Sequence, residues 1–238
     1  MARPVMTMAL FGAAFAALVA GAVWKHQQDA PPSDLYWTPE RIAESERLGV
    51  DVPRHLYPEE GAIAGLARGA VLETDFSAFK SVIARDLRVF RILEINWAGL
   101  TSYLVGIEAQ QGRYLVITAA APQPGAANRQ LEICEAPLDS RLAKRIIAAW
   151  DDVVSETRPT RLMPHMGPDG SFSHFASRPG RGGLMVGMIW GSARPFKPGW
   201  LDDLADGLRE LCSQKDKRKV MADIEQALRA IETAPPLR

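Results

Sequence analysis

An α+β fold, with a mainly antiparallel sheet covered by helices on one face, is predicted by three observations. Between Arg91 and Glu135 the chain runs through short segments of period-two alternation. Those segments are joined by turns too short for crossover helices, Ala98-Gly99 and Gln110-Gln111-Gly112, so an antiparallel meander is the simplest connection. From Leu138 onward three stretches place apolar residues at i, i+3, i+4, the pattern of helices laid on a core. A single N-terminal transmembrane or signal helix is expected to precede this domain.

That segment comes first in the chain. Val5 to Trp24 is twenty residues without a charge. As a helix it rises roughly 30 Å, the thickness of a bilayer core. Arg3 and the amino terminus are positive, whereas Lys25 is offset by Asp29, so the head is expected in the cytoplasm and the body exported. Trp24 and Lys25 suit the outer interface of an uncleaved anchor. Ala20-Gly21-Ala22 equally offers a small-x-small cleavage site, giving a secreted form cut near Ala22. A buried core helix is the third reading of the same run. The organisation expected is an anchor or signal over 1–28, a linker with short helices over 29–74, and a periplasmic domain over 75–238.

Pro31-Pro32 holds the linker extended. Thr38-Pro39-Glu40 combines an N-cap, a proline at the first helical position and an acid in the first turn, so a short helix runs to about Leu48. Gly49 to Glu60, with Pro53 and Pro58, reads as irregular, and Ala62 to Ala70 as a weak helix. Asp75 is expected to cap a helix bearing Phe76, Phe79, Val82, Ile83 and Leu87. Strands follow at Arg91–Trp97, around Tyr103–Ile107, at Arg113–Ala119 and at Arg129–Glu135. Leu138 to Thr157 is the clearest helix, capped by Asp139 or Ser140, with Leu142, Ile146, Trp150 and Val153 in one stripe. Strands at Ser171–Ser177 and Leu184–Trp190 flank a glycine-rich loop, and two helices, Trp200–Gln214 and Asp216–Glu232, complete the chain.

Composition removes several function classes. Lysine plus arginine and aspartate plus glutamate both number 28, so no long-range field draws in nucleic acid. The one dense basic run, Lys215 to Lys219, reads as a solvated junction between helices. Four histidines lie scattered without metal-ligand spacing, and neither a metal nor a cofactor is expected. Cys134 and Cys212 are candidates for a disulfide in an oxidising periplasm, or for two separate buried thiols. There is no G-x-S-x-G elbow and no Walker loop. Ser173 and His174 are neighbours on a strand, where adjacent side chains point to opposite faces, so they make a poor nucleophile–base pair. Asp151-Asp152 and Asp202-Asp203 sit on helices, where neighbours diverge, so neither makes a convergent dyad.

From Leu142 to Leu211 the order of features resembles uncharacterised envelope or immunity-type proteins of Gram-negative bacteria. The shared features are a helix bearing Trp150, Thr157-Arg158, Gly167-x-Asp169-Gly170 leading to His174-Phe175, the turn from Trp190 to Pro198, and a Leu-rich helix. Ser173 stands where such chains often carry tyrosine. The resemblance covers about the C-terminal third and implies a bacterial envelope setting and inhibitory partner binding, with no catalytic residue.

The function expected is that of a non-enzymatic inner-membrane protein, single-pass through residues 5–24, whose periplasmic domain binds a protein partner. Phe172, His174, Arg178 and Arg181 are the candidate contact residues, because aromatic and arginine side chains dominate binding energy at interfaces. The rivals are an envelope hydrolase with a non-motif active site near His174 and a structural subunit of an envelope complex.

Overall fold

The computed structural model describes residues 37–58, 79–95, 102–121, 131–159, 163–164, 171–179, 183–191, 193–213 and 216–235. The apolar run over residues 5–24, the Pro31-Pro32 stretch, residues 62–70 where a weak helix is expected, Asp75, Phe76 and Arg181 lie outside them. Along the chain come α1 (Pro39–Leu48), β1 (Val50–Asp51), β2 (Tyr57–Pro58), α2 (Lys80–Ile83), β3 (Leu87–Ile95), β4 (Tyr103–Gln110) and β5 (Arg113–Ala120). They are followed by β6 (Glu132–Leu138), α3 (Ser140–Ser155), β7 (Met163–Pro164), β8 (Ser171–Ser177), β9 (Met185–Trp190), α4 (Lys197–Ser213) and α5 (Lys217–Thr233).

Local chemistry sets the ends of these elements. Thr38 Oγ1 accepts the Arg41 N–H at 3.3 Å, and Gly49 closes α1 in the left-handed region at φ 70°. Asp139 Oδ1 accepts the N–H groups of Arg141 and Leu142, both at 2.9 Å, and so caps α3. Asp216 does the same for α5 through Arg218 and Lys219. The β4–β5 hairpin turns on Gln111 and Gly112, at φ 49° and 79°. Two successive positive φ values match the twist of the flanking strands, and glycine supplies the second without steric cost.

Seven of the described strands form one antiparallel sheet in the order β2-β9-β8-β3-β4-β5-β6. The meander β3–β6 is consecutive; after α3 the chain returns and lays the β8–β9 hairpin on the opposite flank of β3. Strand β3 is therefore central, paired with β4 at Arg91↔Val105 and with β8 at Arg91↔Phe175. One sheet face carries Val89, Val105, Ile107, Val116, Phe175 and Ile189 and packs with α3, α4 and α5. The other carries Phe90, Ile92, Leu104, Ile117 and Ala176 and packs with Phe79, Val82 and Ile83 around α2. Trp150 is fully buried in the first layer, edge-on to Phe175 with ring centroids 5.7 Å apart.

Three expectations change. Of the helix expected from Asp75 through Leu87, the described residues from Phe79 onward are α-helical over Lys80–Ile83, and Leu87 opens β3. Its apolar spacing fits a helix, but β3 gains ladder bonds on both sides, and that pairing outweighs local period. The compact unit begins at Trp37 rather than near Asp75. Trp37 and Leu56 are buried, and β2 forms an outer strand of the main sheet, which a two-residue segment is too short to announce by periodicity. The long helices share one face, but the single turn of α2 covers the other.

Candidate functional site

The site grows out of α4 and its seat on the sheet. Arg91 points from the central strand toward the helices and is 1% exposed. A guanidinium there must be paired, because an isolated buried charge is too costly to persist. Its Nη1 donates to Asp202 Oδ1 and its Nη2 to Asp206 Oδ1, both at 2.6 Å. Burial works against the Arg91 charge, and the two carboxylates more than offset it, so its pKa lies above the ordinary arginine value. Ser173 Oγ donates to the same Asp202 oxygen at 2.6 Å. The network continues outward: Arg209 Nε lies 3.7 Å from Asp206 Oδ1, and its guanidinium sits 5.0 Å over the Tyr103 ring.

Tyr103 and Arg209 form one wall of a cleft of about 550 Å³ at the Tyr103, Ala120 and Glu132 end of β4–β6. The Cys134–Cys212 disulfide, which ties β6 to the end of α4 with Cα atoms 6.0 Å apart, also lines it. Leu104, Ala119, Ala120 and Ile133 supply apolar lining, and Glu132 and Glu210 supply acids. Ile133 is 48% exposed on β6, whose outer edge pairs with no other described strand. A cleft of this size and mixed lining accommodates a ligand or a group of partner side chains. The cation–π wall offers an amphipathic surface on the α4 side of the sheet, whereas Ile133, in register with Ala119 and Leu104, turns its side chain to the opposite face.

A second concavity, of about 470 Å³, lies among α3, α4 and α5. Lys197 is buried there and donates to Asp152 at 2.7 Å and Glu156 at 2.9 Å. Burial opposes its charge, but the two carboxylates win and raise its pKa. Arg145 bridges Glu225 and Glu232 of α5. These cations are spoken for by helix–helix pairing, so this groove reads as a joint.

The residues singled out from sequence fall elsewhere. Phe172 is half-buried and packs on Trp190 with ring centroids 4.3 Å apart. His174 is buried on the face opposite Ser173, whose hydroxyl is engaged by Asp202. That geometry brings no nucleophile to His174 from its neighbouring serine. Arg178, half-buried, donates from its backbone to Arg88 O at 2.9 Å and from Nη2 to Ile83 O at 3.4 Å. The structure thus uses Phe172, His174 and Arg178 within the sheet and its α2 flank. Sequence reasoning missed Arg91, Tyr103 and Arg209. An arginine in an otherwise apolar strand was the signal available for Arg91, since such a residue needs acids facing it.

Comparison with known proteins finds no matching family, no similar curated protein and no matching solved structure. The site therefore stands on its own geometry. Among the described residues no cluster of three or more histidine, cysteine or acidic side chains could hold a metal, and no helix is long and apolar enough to cross a membrane.

Proposed function

We propose that this chain is a bacterial envelope protein, tethered through residues 5–24 or released by cleavage near Ala22, whose periplasmic α+β domain binds a protein partner without catalysis. An immunity or accessory role fits that chemistry. The cleft at the end of β4–β6 supports the reading: a Tyr103–Arg209 cation–π wall stands on the α4 side of the sheet, stapled by Cys134–Cys212. Tyrosine and arginine are the residue types that dominate binding energy at interfaces, and disulfides persist outside the reducing cytoplasm. On this reading the contact surface is this cleft.

The test has two arms on the full chain. A C-terminal alkaline phosphatase fusion reports export, with activity expected outside the cytoplasm. In-cell cross-linking followed by mass spectrometry, compared between wild type and Tyr103→Ala/Arg209→Ala, reports binding. The expected result is a discrete adduct that the double substitution removes while the variant keeps its thermal midpoint. An inactive fusion overturns the envelope setting. An adduct indifferent to the double substitution, or no adduct at all, overturns the cleft as the binding surface.

A further inference from the structure

A separate polar cluster lies where the Trp37–Pro58 segment meets the end of α3. Asp51 of β1, His55 and Tyr57 of β2 converge there, with side-chain exposures of 14% for Asp51 and 11% for His55, while Tyr57 is 5% exposed overall. His55 Nε2 lies 3.9 Å from Asp51 Oδ2, and the His55 and Tyr57 rings meet edge-on at 5.4 Å. Asp51 Oδ2, His55 Nε2 and Tyr57 Oη, together with Thr157 Oγ1 just past α3, are sequestered from solvent without a hydrogen-bond partner among the described residues. Buried polar atoms are nearly always paired, so four such atoms at one joint mark a place where the pairing is conditional. The joint is also slender. Strand β2 contributes two residues to the sheet edge, at Tyr57↔Met188 and Pro58↔Gly187, and β1 pairs with β7 over two more.

We propose that Asp51, His55 and Tyr57 form a proton-controlled latch that holds the Trp37–Pro58 segment against the domain and releases it in acid. Every charged group facing His55 bears on the sign. Asp51 and Glu156 favour the imidazolium, and Arg158 opposes it, while the backbone of Arg158 accepts from the ring. Glu156 is itself held by Lys197 of α4 at 2.9 Å, and Tyr57 stays a neutral phenol because burial, reinforced by Asp51, pushes its pKa up. Burial is the largest influence on His55 and depresses its pKa below the ordinary 6.5. Once the segment swings into water the imidazole regains that ordinary value. Protons therefore bind the open form preferentially, and the latch weakens as pH falls from 6.5 toward the depressed closed-state value. Release of β2 would bare the edge of β9, a row of backbone donors and acceptors open to strand addition.

Hydrogen exchange of the full chain at pH 7.5 and 5, corrected for intrinsic rates, tests this. Protection over 50–58 and 185–190 is expected to fall at pH 5 while α3 and α4 stay protected. His55→Gln is expected to lose that pH dependence. Asp51→Asn, which removes a carboxylate favouring the imidazolium, should make the acid loss steeper. An NMR titration of wild-type His55 keeps the proposal falsifiable if either variant folds poorly, and a midpoint below 6.5 is expected. Protection that is constant with pH, falls uniformly along the chain, or falls equally in His55→Gln overturns the latch, as does a His55 midpoint at or above 6.5.

Discussion

Replacing both cysteines, as Cys134→Ser/Cys212→Ser, probes the cleft and the compartment together. The bond closes a loop across a sequence separation of 78 residues, joining an edge strand to a helix that the chain reaches only after α3 and the β8–β9 hairpin. Without it, the unfolded chain regains the entropy of that loop, about 4.5 kcal/mol at 25 °C in the chain-entropy treatment. For a chain of this size that corresponds to a fall in thermal midpoint of roughly 9–18 °C. The folded state loses little apolar burial, because both cysteines are only half-buried, so the entropic contribution dominates. The assay is thermal and urea unfolding of wild type and variant, each with and without reductant. Reductant should bring wild type down to the variant and leave the variant unchanged. Mass spectrometry after thiol labelling of the non-reduced protein should find no free thiol. Two labelled cysteines in protein recovered from the envelope, or a variant within about 1 kcal/mol of wild type, would refute the reasoning.

Arg91→Met should destabilise the domain by about 3 kcal/mol, the lower end for breaking a buried ion pair. Asp202 and Asp206 keep side-chain exposures of 26% and 45% and can partly rehydrate, and Asp202 keeps Ser173. A urea midpoint matching wild type would show that the pair contributes nothing net. Gly187→Ala should cost about 1–3 kcal/mol by overpacking. Its Cβ would come within 2.5 Å of Thr157 Oγ1 and 2.7 Å of Leu56 Cβ. Hydrogen exchange should then rise first over 56–58, and an unchanged pattern would count against the tight seat of β2 on β9.

Legibility in the sequence divides by range. The α3 helix was readable from Asp139 and the Leu142, Ile146, Trp150 and Val153 stripe, because cap and period are local chemistry. The same holds for the hairpins, where alternation and the Gln111-Gly112 turn sit within a few residues of one another. Leu87 was misread because two local patterns competed for it and the winner was chosen by strand partners some twenty and ninety residues distant. The cleft was invisible for a related reason. Tyr103, Glu132 and Arg209 lie on separate elements and carry no motif.

Amphipathic period, caps and turn residues determined the class of fold, most element positions and the apolar N-terminal run, since each depends on neighbours within one or two turns of chain. Tertiary structure alone decided that β8 flanks β3, that Arg91 meets Asp202 and Asp206, that Cys134 meets Cys212, and that His55 faces Asp51. Strand pairing and charge burial are settled by which distant segments exclude water together, and no single segment carries that information.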